Sequence, residues 1–240
     1  MTTGVVVFRG MKVGVLPGDF QIRIDESGAL DTTLIVSTAY NVLPIWLRIA
    51  SDQLQVAYRA NEALRQQWST DDNRNRELLL GELEPSLLVF VACGIALDAL
   101  YDQLRPHAKL GPRSDAGRKR RTGRAKQICE AIRRVYRLDK HTRAQFATSI
   151  GEIVKFRDLA VHPSLELRQS CTRPDLPVGV DWKFSAYRYT NCRAAFESTM
   201  RMLIYIYEKK SNAIALDRQL DNVFDALEEL KIVQRRSSSR

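Results

Sequence analysis

Residues 142–163 read T-R-A-Q-F-A-T-S-I-G-E-I-V-K-F-R-D-L-A-V-H-P and decide the fold class. The apolar residues recur at intervals of four, three and three, which places on one helical face Phe146, Ile150, Ile153 and Phe156. Proline lacks a backbone N–H and ends the helix at Pro163. The stretch therefore predicts an amphipathic helix that buries one face in a helical bundle.

Similar spacing extends through most of the chain after Thr38. It predicts further helices over Ser37 or Thr38 to Trp68, Glu77 to Gln103, Thr122 to Leu138, Thr190 to Lys210 and Ala213 to Val233. The polar stretch Ser69–Arg76 is expected to be a loop. Residues 163–189 are expected to be irregular, with a short strand-like aromatic piece from Trp182 to Tyr189. The fold class is mainly α.

The first 38 residues have a different pattern. Short β-branched runs lie between turn signals such as Pro17-Gly18 and Ser27-Gly28, and they predict three or four antiparallel strands. We therefore expect a small β element over residues 1–38 and a helical bundle over 39–210. Residues 211–240 are expected to form an amphipathic helix and a basic tail. The leucine-rich seam Leu216–Leu230 fits packing on the chain's own bundle or, alternatively, a dimer seam.

Composition limits the chemistry. Among 240 residues there are four cysteines and three histidines, and no C-x-x-C pair occurs, so no metal site and no cofactor are expected. The N-terminus lacks the features of a signal peptide, and no uncharged apolar run approaches a membrane-spanning length. The sequence predicts a cytoplasmic protein with no membrane association.

The net charge of +9 favours a polyanionic partner. From Arg113 to Lys126 there are seven basic residues and one acidic residue. Arginine and lysine neutralise phosphates without reading sequence, so this run is the candidate RNA contact. The predicted RNA-binding residues are Arg113, Arg118, Lys119, Arg120, Arg121, Arg124 and Lys126. The alternative is a solvated charged loop.

The candidate catalytic residues lie at the end of the amphipathic helix predicted within residues 142–163. Arg157 and His162 form an R-x4-H pair, and Asp158 follows the arginine. Asp98 and Asp102, one turn apart on the second predicted helix, are placed to approach Arg157. In the alternative interpretation, Arg157 pairs with Asp158, Glu152 or another surface acid, and His162 caps backbone carbonyls at the end of the helix.

The segment resembles the HEPN family (higher eukaryotes and prokaryotes nucleotide-binding domain). That family carries an arginine, a polar residue and a histidine at the end of a bundle helix, and Arg157, Asp158 and His162 match it in order and spacing. The resemblance covers roughly residues 74–210. It implies a metal-independent endoribonuclease whose site forms where two copies of the motif face each other in a homodimer.

The resemblance also implies roles for the residues. Arg157 would stabilise the negative charge of the transition state, His162 would move the proton, and Asp158 would orient one of them. It further suggests a defence or toxin system with an antitoxin or other partner protein. A family subgroup that pairs with a nucleotidyltransferase carries tyrosine two places after the histidine. This chain has Ser164 there, so inactivation by modification of that tyrosine is not expected. The alternative function is a non-catalytic RNA-binding or accessory interaction module.

Overall fold

A computed structural model describes residues 5–8, 10–24, 27–110, 123–162 and 164–234. The chain forms two compact units, Met1–Val42 and Leu43–Arg240. Among the described residues, the first unit contains strands, and the second contains the helices and two short strands.

Four strands of the first unit form two antiparallel ladders. Strand β1 (Met11–Gly14) pairs with β4 (Ser37–Tyr40), and β2 (Phe20–Ile24) pairs with β3 (Leu30–Leu34). This confirms the antiparallel element. The prediction that a helix begins at Ser37 or Thr38 is wrong, because residues 37–40 pair with β1 and the first helix begins at Leu43.

The described residues of the second unit contain seven α-helices. They are α1 (Leu43–Gln67), α2 (Asp72–Leu104), α3 (Arg124–Tyr136), α4 (Lys140–Val161), α5 (Trp182–Ala186), α6 (Tyr189–Lys209) and α7 (Ile214–Glu229). Helix α2 is central, since it contacts α1, α3, α4 and α6. Its buried face includes Val89, Cys93, Leu97 and Leu100. The mainly helical bundle is confirmed.

Helix α2 begins earlier than the sequence suggests. Asp71 caps it, because its carboxylate accepts hydrogen bonds from the backbone N–H groups of Asn73 and Arg74. The prediction of a loop through Arg76 is therefore wrong. Pro85 lies inside the helix.

The region after α4 also differs from expectation. The predicted aromatic strand is the short helix α5, which Asp181 caps by accepting a hydrogen bond from the N–H of Lys183. Two short strands precede it, β5 (Cys171–Thr172) and β6 (Gly179–Val180), which pair antiparallel. Tyr187 of this aromatic stretch is buried and its ring contacts those of Phe90 and Phe156, so it packs on the bundle.

The apolar seam of α7 is buried within the same chain. Along this seam, four residues are at most 1% exposed, namely Leu216, Leu220, Val223 and Leu227. Tyr207 of α6 stacks on Phe224 at a ring distance of 3.9 Å. The structure favours packing on the chain's own bundle over a dimer seam.

Among the described residues, one segment, Asp72–His107, is long and apolar enough to cross a membrane. It consists of α2 and the 3-10 turn that follows it, and 56% of its apolar stretch is buried in the bundle. Such burial is typical of the core helix of a soluble protein.

Candidate functional site

The R-x4-H motif lies where α4 ends. Asp139 caps the start of this helix, and His162 follows its last residue, Val161. The backbone N–H of His162 donates to the carbonyl of Asp158 at 2.9 Å. The helix therefore carries Arg157 in its last turns and presents His162 at its end.

Arg157 is held by two carboxylates. Its Nη1 donates to Oδ2 of Asp98 at 2.6 Å, and its Nε and Nη2 donate to Oδ1 of Asp158 at 2.9 and 2.7 Å. The prediction that Asp98 and Asp102 approach Arg157 is confirmed for Asp98 and wrong for Asp102, which lies near Arg124 instead. The arginine side chain is 13% exposed. Of the five N–H groups of a guanidinium, these contacts use three, so two are left for another acceptor.

Gly94 explains how Arg157 can lie so close to α2. A Cβ placed on Gly94 would be 2.5 Å from Cδ of Arg157 and 3.0 Å from its Cβ. Only glycine leaves room for this approach between α2 and α4. An isolated glycine within an apolar helical pattern is the sequence signal for such a contact, although it does not identify the neighbour.

Asp98 also holds the first residue of α3. Its Oδ1 accepts from Nε of Arg124 at 2.6 Å, while Asp102 lies 3.7 Å from Nη2 of the same arginine. The guanidinium of Arg124 lies over the ring of Tyr101, 4.2 Å from its centre. Asp98 thus joins Arg124 and Arg157 through its two oxygens.

The predicted RNA-binding residues divide into two groups. Arg124 is bound to α2, whereas Lys126 is exposed near the start of α3. The rest of the predicted set lies outside the described residues, namely Arg113, Arg118, Lys119, Arg120 and Arg121.

His162 differs from Arg157 in its surroundings. The residue is exposed, and its ring forms no hydrogen bond with any other described residue. The carbonyl contact at the end of the helix is made by its backbone N–H and not by the imidazole. The ring is therefore accessible to a ligand, while the arginine faces α2.

A groove of about 300 Å³ runs beside the motif helix. It lies between α4 and α6 and is lined by residues that include Phe90, Ser149, Glu152, Phe156, Asn191 and Ser198. The lining contains one carboxylate and no basic side chain. A phosphate would gain no electrostatic attraction there, so the groove is not the expected path for an RNA backbone.

The structure contains a second charged cluster that the sequence pattern does not predict. Arg173 donates to Glu82 at 2.7 Å and to both oxygens of Asp175 at 3.0 and 2.7 Å. Glu82 also accepts from the side chain of Asn61 and from the backbone N–H of Tyr189. Arg173 and Asp175 are two residues apart, but Glu82 lies 91 residues before Arg173, and no spacing rule connects them.

Within the described residues, no group of three or more His, Cys, Asp or Glu side chains is arranged to hold a metal ion. The four cysteines are free, and burial raises the pKa of Cys93 to about 12. Comparison of the chain with protein families, with curated proteins and with solved structures finds no match.

Proposed function

We propose that the protein is a metal-independent endoribonuclease of HEPN type that acts as a homodimer. The observation that carries this proposal is the arrangement at the end of α4. A guanidinium is held by Asp98 and Asp158 with two N–H groups to spare, and an exposed imidazole follows within the next turns. Histidine titrates near neutral pH, and arginine offers a fixed set of donors to a phosphate.

The reaction needs only RNA and these side chains. The 2′-hydroxyl oxygen attacks the adjacent phosphorus, the new O–P bond forms, and the bond from phosphorus to the 5′-oxygen breaks. One proton leaves the 2′-hydroxyl and another reaches the 5′-oxygen. His162 is suited to accept the first proton or to donate the second. Arg157 stabilises the added negative charge on the phosphorane. The products are a 2′,3′-cyclic phosphate and a 5′-hydroxyl.

One copy of the motif is not sufficient in this proposal. Positions five apart on an ideal helix point about 140° away from each other. Arg157 faces α2, whereas His162 is exposed at the helix end. A second copy that brings its own motif to the same cleft would supply the complementary group.

The test is cleavage of labelled single-stranded RNA in the presence of EDTA. Wild type is expected to cleave, and His162→Ala to lose at least about 100-fold in rate. His141→Ala is the matched control, since His141 is an exposed histidine at the other end of α4 and its rate should not change. DNA of the same sequence should stay intact because it lacks the 2′-hydroxyl. The proposal is wrong if wild type does not cleave, or if His162→Ala cleaves equally fast.

A mixing experiment tests the shared site. Arg157→Ala and His162→Ala proteins should each be inactive alone, and mixing them should restore cleavage, because a mixed dimer can combine one intact Arg157 with one intact His162. Activity that is not restored in verified mixed dimers would contradict a shared site without contradicting cleavage itself.

A second candidate function is a non-catalytic RNA-binding or accessory module. One observation favours it: the carboxylates of Asp98, Asp102 and Asp158 outnumber the guanidinium groups of Arg124 and Arg157 that they surround. Such a cluster attracts a phosphate weakly. In this alternative, Arg157 fastens α4 to α2, and RNA contacts only the basic segment.

Salt-dependent RNA binding without cleavage would support the second candidate. Lys126→Ala should lower the dependence of log affinity on log salt by about 0.7 for a single strand. Lys140→Ala is the control, because Lys140 is an exposed lysine at the start of α4, outside the basic segment. Equal effects of the two substitutions would argue against a specific RNA contact at Lys126.

A further inference from the structure

Residues 164–170, S-L-E-L-R-Q-S, form neither helix nor strand and lead directly into β5. Leu165 and Leu167 are 96% and 99% exposed, more than any other large apolar residue in the described part of the chain. An exposed segment of alternating apolar and charged residues is suited to pairing with another strand.

In the described part of the chain, no strand pairs with this segment, because the hairpin that follows it has unequal arms. Cys171 pairs with Val180, and Thr172 pairs with Gly179. Beyond Val180 the chain turns into α5, which Asp181 caps. The residues that would pair with 165–169 in a longer hairpin, 182–186, are therefore in a helix.

The charged side chains show which residues share a side of the segment. Nη2 of Arg168 lies 3.3 Å from Oε2 of Glu166. Both side chains therefore point to one side of the segment, as alternate residues of an extended chain do. Arg168 also lies over the ring of Trp182, 4.7 Å from its centre, which ties the segment to the bundle. Leu165 and Leu167 occupy the alternate positions, on the opposite side.

We propose that residues 164–170 pair antiparallel with the same residues of a second copy of this chain, with the two-fold axis at Leu167. In this register Glu166 of each copy faces Arg168 of the other, so both charged pairs are complementary. Leu167 faces Leu167 of the second copy, with the two Leu165 side chains diagonal to it. Opposite charges and apolar pairs in these positions stabilise strand pairing.

The backbone supports the same register. When Leu167 forms a hydrogen-bonded pair with its copy, the N–H and carbonyl groups used are those of Leu165, Leu167 and Gln169. The N–H of Glu166 is not required, and it already donates to Oγ of Ser164 at 3.1 Å. Within the described residues, the N–H groups of Leu165, Leu167 and Gln169 have no acceptor.

This contact is separate from the one in the proposed ribonuclease, and it does not depend on that proposal. Pairing about Leu167 puts the two Ser164 residues about 20 Å apart at opposite ends of the ribbon. Each His162 lies beyond Ser164, so the two motifs do not face each other across this axis. A chain that used both contacts would form an assembly larger than a dimer.

Light scattering on the full-length protein tests the pairing by charge exchange. Glu166→Arg places two arginines opposite each other at both ends and should halve the mass of the assembly, with at least a tenfold rise in the dissociation constant. Glu166→Arg combined with Arg168→Glu recreates complementary pairs and should restore the mass. Leu167→Arg should also halve it. Ile214→Arg is the control, because Ile214 is 73% exposed at the start of α7 and its replacement should not change the mass.

The proposal is overturned if Glu166→Arg leaves the mass unchanged, or if the double exchange fails to restore it. A monomeric wild-type protein would also overturn it. Circular dichroism and melting curves of each variant confirm folding, which the exposure of Glu166, Leu167 and Ile214 predicts. RNA cleavage measured on the same samples reports separately on the ribonuclease proposal.

Discussion

Two arginines bind carboxylates of the same helix, α2, and their surroundings differ. Arg173 and its partner Glu82 are each 1% exposed, and contacts to Glu82, Asp175 and the carbonyl of Phe184 use four of the arginine's N–H groups. Arg157 is 13% exposed and uses three of its five.

The Arg173 cluster is an ion cluster that links structural elements, whereas the Arg157 cluster is accessible to ligands. The Arg173 cluster joins α1, α2 and the segment before α5 around a buried ion pair of Arg173 and Glu82, and its most exposed carboxylate, Asp175, is 19% exposed. The Arg157 cluster is open at Asp158, which is 53% exposed, and the exposed His162 follows it. Charge pairing alone therefore does not indicate function. The Arg157 cluster differs from the Arg173 cluster in that its guanidinium has two unused N–H groups and that solvent reaches Asp158 and His162.

Truncating Arg173 should have the largest effect on stability. Arg173→Ala leaves the buried carboxylate of Glu82 without its cation, and we expect a loss of about 3–5 kcal/mol in the free energy of unfolding. Urea denaturation measures it. Arg157→Ala should cost no more than about 2 kcal/mol, because Asp98 keeps Arg124 and Asp158 is largely in water.

Arg65→Ala is the control for loss of an exposed arginine. Its ion pair with Glu62 lies on the surface, with side chains 60% and 39% exposed, and its removal should cost less than about 1 kcal/mol. The distinction between the two clusters would be lost if Arg173→Ala and Arg157→Ala destabilised the protein equally.

Gly94→Ala tests the close approach on which the Arg157 cluster depends. The added methyl group would overlap the arginine side chain, and we expect destabilisation by about 1–3 kcal/mol. Gly81→Ala, on the same helix, meets no atom within 4 Å and should instead stabilise by up to about 1 kcal/mol through helix propensity. Thermal unfolding of both variants checks this. Similar shifts would show that Arg157 moves aside without cost.

The sequence predicted the bundle well because helix periodicity is a local signal. The spacing predicts Phe146, Ile150 and Ile153 on the buried face of α4, and each has at most 9% exposure. Helix starts were less accurate where a cap decides them, as at Asp71. Residues 37–40 form a strand through pairing with β1, which helix periodicity does not report.

The candidate site was predicted in part. Local spacing predicts Arg157, Asp158 and His162 as one motif. Asp98 and Asp102 were both expected near Arg157, and only Asp98 contacts it. The link from Asp98 to Arg124 and the Arg173 cluster depend on the packing of distant segments. The close approach of Arg157 to Gly94 likewise depends on the packing of α4 on α2, and the sequence analysis did not predict it.

Asp98→Asn tests whether the open cluster orients Arg157 for chemistry. Asparagine retains one oxygen acceptor and loses the charge that aligns the guanidinium, so in the proposed reaction kcat should fall about tenfold, or about 1.4 kcal/mol. Asp102→Asn is the matched control. It removes the same charge one turn away, and the structure shows its carboxylate near Arg124 and not near Arg157.

Steady-state cleavage assays separate the two effects. Removal of either carboxylate should lower KM slightly, because less negative charge opposes RNA. Only Asp98→Asn should lower kcat. A kcat that falls equally in both variants would show that the net charge of the cluster matters and that the contact of Asp98 with Arg157 does not.

Acid titration should show the smallest effect, confined to the buried cluster. Hydrogen bonds from Arg173 hold the pKa of Asp175 below its usual value of 3.8. A carboxyl group whose pKa is lowered by folding stabilises the protein above its unfolded pKa, and this contribution is lost as pH falls through the folded pKa. The difference in unfolding free energy between wild type and Asp175→Asn should therefore be constant above about pH 5 and shrink below about pH 4. A difference that stayed the same from pH 7 to pH 3 would mean that Asp175 gains no charge stabilisation from Arg173, and the buried cluster would then resemble the surface pairs.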